Sequence, residues 1–174
     1  YPEKLEQLKD KWEQAAWENQ VFPLDEGNLV KETLRPPWEA ELVEETTFYP
    51  GTPTVERWKS QQIINFRNWG VEVLVNYKSG DSGTLLAHGD QGGGYSFAVE
   101  EGELIFTHNG YGDTTEINCG RFPIGDSIVF LKVDPPDFLT WDIEVFLNGD
   151  LVAQQKGLVA LLAMAPFQGI DVGI

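Results

Sequence analysis

Few residues in this 174-residue chain are of a type and spacing that could do chemistry. His88 and His108 each sit near a strand end beside the glycine patch Gly92-Gly-Gly94. If they met across a hairpin they could share a metal, but two histidines without a third close ligand make a thin set. Neither stands beside a Ser or Cys in a recognisable nucleophile motif. Cys119 is the single cysteine, followed by Gly-Arg-Phe-Pro, and reads as a small strand residue with no intrachain disulfide available. Asp81, Asp90 and Asp113 fall in three loops that could share one rim and offer oxygen ligands to calcium; the ordinary role of Asp there is to shape turns. Gly92-Gly-Gly94 lacks the Lys-Ser/Thr and following helix of a phosphate loop, so it reads as backbone that bends or approaches another strand. Among Trp58, Trp69, Tyr95, Tyr111 and Trp141, Tyr111 in the loop Asn109-Gly-Tyr-Gly-Asp113 is the best exposed platform for a sugar ring, with Asn109 beside it. Tyr95 and Trp141 fall on the inward phase of their strands and read as core.

The elements that must hold these residues are mostly strands. Pro2 to Trp17 predicts a helix, with Leu5, Leu8, Trp12 and Ala16 on one apolar stripe and an end near Asn19. Residues 25–56 read as an extended arm: Pro36-Pro37 blocks both helix and central strand, Glu39, Glu41, Glu44 and Glu45 form an acidic face, and Trp38 and Leu42 could pin the arm to a larger body. From Gln61 onward nearly everything reads as strand. Val71, Val73, Val75 and Tyr77 alternate with polar neighbours, as do Tyr95, Phe97 and Val99, then Leu104, Phe106 and His108, then Trp141, Ile143, Val145 and Leu147. Asn148-Gly149 is a strong two-residue hairpin signal. The last strand, Phe167 to Ile174, directs Ile170, Val172 and Ile174 inward. Leu158–Met164 is apolar without alternation, a buried crossover or a patch that needs a cover. Nine or ten short strands at near-regular spacing predict an antiparallel β-sandwich after one N-terminal helix.

Composition narrows the partners. A formal net charge of −16 disfavours nucleic acid and anionic membranes, since both require basic residues to replace counterions. No apolar run approaches the roughly 20 residues needed to cross a bilayer, and no signal peptide is visible. The chain starts at Tyr1 without Met, which reads as an excised fragment.

Five segments, in order, resemble the C-terminal region of large bacterial arylsulfatases of the alkaline-phosphatase-like superfamily. They are Tyr1-Pro-Glu-Lys-Leu-Glu-Gln-Leu-Lys-Asp-Lys-Trp12 with Val21-Phe-Pro-Leu-Asp25; Phe48-Tyr-Pro-Gly51; Gly83–Asn109; Phe146-Leu-Asn-Gly-Asp-Leu-Val152; and Gly169-Ile-Asp-Val-Gly173. The segment between Val133 and Trp141 is shorter than the family's. The resemblance implies that residues 1–24 are the tail of a catalytic domain, 25–56 a linker arm, and 57–174 a jelly-roll, concanavalin-like or laminin-G-like sandwich. It implies a parent that hydrolyses sulfate esters with calcium and a formylglycine made in a C/S-x-P/A-S-R motif, in bacterial cytoplasm or periplasm. This chain lacks that motif, so no catalytic residue, cofactor or metal is assigned to it. The expected function is a non-catalytic C-terminal domain that packs on the sulfatase catalytic domain and frames its substrate entrance. The alternative is a lectin-like module that holds a glycan, sulfated or plain, through Tyr111 and Asn109.

Overall fold

The computed structural model describes residues 1–24, 45–162 and 166–173, with only the backbone of Trp58. The readings made for Pro36-Pro37, Trp38, Leu42, Met164 and Ile174 lie outside those residues. The chain divides into two compact units, Tyr1–Leu34 and Arg35–Ile174.

The first unit is built on helix α1, Pro2–Glu18, with proline in its first turn and Asn19 as C-cap. The predicted stripe forms, but only Ala16 is buried. Leu5, Leu8, Trp12 and Trp17 are each more than half exposed. Phe22 folds back to meet the edges of Trp12 and Trp17, with ring centroids at 5.2 and 5.5 Å. The backbone N–H of Val21 donates to the Ala16 carbonyl at 2.9 Å and secures that return.

The second unit is an antiparallel β-sandwich. Its strands are β1 (Trp69–Tyr77), β2 (Gly83–Asp90), β3 (Gly93–Glu100), β4 (Glu103–Gly110), β5 (Asp113–Arg121), β6 (Gly125–Asp134), β7 (Thr140–Leu147), β8 (Asp150–Val159) and β9 (Ile170–Val172). One sheet has the order β1-β6-β7-β8, the other β5-β4-β3-β2-β9. Alternation selects the faces: Phe97, Leu104, Phe106, Val129, Leu131, Ile143 and Val145 point between the sheets and are fully or almost fully buried. The β1–β6 ladder runs without interruption from Trp69↔Val133 to Tyr77↔Gly125. The β7–β8 ladder slips twice, between Trp141 and Ile143 and between Val145 and Phe146. Strand β9 lies between β2 and an isolated bridge from Val55 to Ile170.

One stretch differs from the strand reading. Arg57–Ile64 is a second helix, α2. Ser60 and Ile64, one turn apart, are both buried and form its inner face. Part of the unalternating run is indeed interior: Leu158, Ala160 and Leu161 are buried.

The glycine patch is a steric requirement. A Cβ on Gly89 would stand 2.3 Å from the Gly93 carbonyl oxygen, and one on Gly94 2.5 Å from that of His88. A Cβ on Gly92 would strike the Phe167 ring at 2.9 Å.

Candidate functional site

The two histidines share a face but do not meet. His88 pairs with Tyr95 across β2–β3, and Tyr95 pairs with His108 across β3–β4. Tyr95 therefore stands between them, and two strand spacings of about 4.8 Å separate their backbones. A metal held jointly by these two rings is not what the register builds. The row instead plugs one end of the core. Trp69 packs on Tyr95 at 5.0 Å, and Trp141 makes T-shaped contacts with Trp69 at 5.4 Å and with His108 at 5.9 Å. Tyr95 and Trp141 are core residues, as their phase predicts.

The network around His88 assigns its tautomer. Ser60 Oγ donates its one hydrogen to the Arg57 carbonyl at 3.2 Å, a local back-bond within α2. It therefore accepts from His88 Nε2–H at 3.0 Å. Nδ1 is left to accept from the Tyr95 hydroxyl at 3.4 Å. Burial holds His88 neutral and lowers its pKa from 6.5 to about 3. A Ser–His contact of this length resembles a nucleophile and its base. Here both side chains are sealed, Ser60 at 0% and His88 at 1% exposure, so no substrate reaches them. The pair fastens α2 to the five-stranded sheet. Sequence reading missed it because 28 residues separate the partners.

His108 is lowered as well, chiefly by burial, against a hydrogen bond to the Val159 backbone and the charge of Asp113, which raise it. Its Nε2 and the Nε1 of Trp69 are buried, with no hydrogen-bond partner among the described residues. Cys119 is a buried strand residue whose thiol is pushed up to about 11, mainly by desolvation.

The three loop aspartates do not share a rim. Asp90 and Asp113 lie at the end of the sheet that carries the β2–β3 and β4–β5 turns, near Gly93 and Gly110 respectively. Asp81 precedes Gly83, which pairs with Val99 at the opposite end. Antiparallel hairpins alternate ends, and that separates them. Two of the three act as turn formers: Asp81 accepts from the Lys78 N–H and Asp90 from the Gly92 N–H. Among the described residues, no three His, Cys, Asp or Glu side chains group closely enough to hold a metal ion.

Asn109 and Tyr111 sit at the Asp90 end. The Asn109 amide donates to the carbonyls of Asp90 and Gln91 at 3.1 and 3.0 Å and accepts from Gly112 N–H at 2.7 Å. It ties two turns together. Tyr111, at a positive φ of 60°, is 44% exposed, and its hydroxyl accepts from the Leu162 N–H at 2.8 Å.

Leu162 also lines a cavity of about 270 Å³, whose buried lining residues are Trp141, Ala160 and Leu161. Its mouth carries Phe66 and Phe138, stacked with centroids 4.6 Å apart, together with Arg67, Asn68 and Asp137. Sequence reading singled out none of these five. The available signal was an exposed Phe138-Leu139 pair after Pro135-Pro136, where a solvent-facing loop would ordinarily be polar.

Fold and site together define a β-sandwich domain with an aromatic plug and a small cavity at one loop end. No known protein family matches the chain, and neither does any curated protein.

Proposed function

We propose that this chain is a non-catalytic accessory module of an arylsulfatase, docking on a catalytic domain through α1 and framing that domain's substrate entrance. The parentage rests on the five ordered segments that resemble the family. The observation that carries docking is the α1 stripe: its Leu5, Leu8 and Trp12 stay more than half exposed. Burying the exposed half of each against a partner would contribute roughly 0.8–1.5 kcal/mol. Such a row on one helix face marks an interaction surface.

The parentage is tested on the coding sequence preceding Tyr1. An in-frame C/S-x-P/A-S-R motif is the expected finding, and a frame without it overturns the reading. The docking is tested by co-expressing that upstream region with this chain. A stable complex should form with the natural chain and be lost with Leu8→Glu/Trp12→Glu; equal complex formation by both would refute docking through α1. The chain alone should not turn over 4-nitrophenyl sulfate above a heat-killed control.

A further inference from the structure

The cavity at the loop end of the second unit combines aromatic rings with one charged group of each sign. Its volume is that of a small ligand. An apolar cavity of about 150 Å³ accommodates one benzene ring. The 270 Å³ here leaves room for one six-membered ring and a small substituent. Phe66 and Phe138 stack on each other while staying 42% and 65% exposed, so each offers apolar ring surface at the mouth. Phe66 holds that position at a φ of 53°, unusual for a bulky side chain and of the kind found at ligand clamps.

The mouth carries one charge of each sign, Arg67 and Asp137, and the two differ in how far they are engaged within the protein. The Asp137 carboxylate already accepts from the N–H groups of Leu139 and Thr140, at 2.7 and 2.9 Å. The Asn68 amide donates to Asp134, which also holds Lys132. Arg67 is different. Its Nε reaches the Asn68 carbonyl at 3.4 Å, and it has no carboxylate within ion-pair distance among the described residues. In a chain of net charge −16, its outer guanidinium donors are left available at the edge of the cavity. A planar guanidinium suits a two-oxygen anion.

We infer that this cavity binds a single six-membered ring carrying one anionic oxygen group, the ring against Phe66 and Phe138 and the anion on Arg67. Two ligand sources share that chemistry, a sugar acid and an aromatic acid. Glucuronate, benzoate and neutral glucose distinguish them when titrated into ¹⁵N-labelled protein. Glucuronate or benzoate should give saturable shifts at the amides of Asn68, Phe138 and Leu162, with Kd on the order of 1 mM. The one that binds names the source. Glucose should bind at least about tenfold more weakly, and Arg67→Gln should remove that preference while leaving the spectrum otherwise folded. Absence of saturable shifts with both acids up to roughly 20 mM overturns the inference. So does an anion preference that survives Arg67→Gln.

Discussion

Replacing His88 tests the buried network most directly. In the folded chain its pKa is lowered to about 3, against 6.5 when unfolded. Between those values the unfolded chain binds a proton that the folded chain refuses, so stability rises with pH across that window. The contribution is fully present above pH 6.5 and is lost as pH falls towards 3. Integrated from pH 7 to pH 4.5, the loss is about 2–3 kcal/mol. His88→Gln stays neutral throughout, so this component of the pH dependence should vanish from the variant. Urea unfolding of both proteins between pH 7 and pH 4.5 measures it. Acidic side chains and His108 contribute to both curves, and the difference between the curves isolates His88. Superposing curves would refute the argument. Direct titration of the wild-type His88 ring by NMR gives an independent check, and a native pKa of 6 or above would refute it equally.

Three other positions give sharp expectations. Gly89→Ala should cost more than about 3 kcal/mol, because its Cβ would sit 2.3 Å from a backbone oxygen at a φ of +114°. Gly112→Ala, with φ +100° and nothing within 4 Å, should cost about 1–2 kcal/mol in the same denaturation assay; similar costs for the two would deny the close approach at the glycine patch. Cys119, buried with its thiol pushed up to about 11, should react with a disulfide reagent at pH 8. Its rate should be roughly a hundredfold below that of the unfolded chain, and rates within about tenfold of each other would contradict its burial.

Most of the sandwich was legible because period-two alternation writes a buried face directly into sequence. Val71 to Tyr77, Tyr95 to Val99 and Trp141 to Leu147 each have one side against the other sheet and one side outward. Strand β8 shows why the signal can fade. It lies at a sheet edge with nearly all of its residues exposed, so its pattern carries little contrast. Helix α2 was missed because eight residues offer too few turns for a period to emerge, and its inner face is defined by Ser60 and Ile64. The site was harder still. Which end of the sandwich a loop occupies depends on hairpin order, which is why Asp81 parts from Asp90 and Asp113. The Ser60–His88 contact and the Phe66–Phe138 stack join segments that local pattern cannot connect.

The two flanks of the four-stranded sheet differ in regularity, and this bears on aggregation. Strand β1 carries an unbroken ladder on its inner side, so its outer amides and carbonyls keep an even spacing that an extended chain could match. Strand β8, displaced twice relative to β7, offers no such continuous template. A fibril needs a receptive strand on both flanks of every subunit. With one regular and one displaced flank, the two edges of this sheet are not equivalent templates for strand addition.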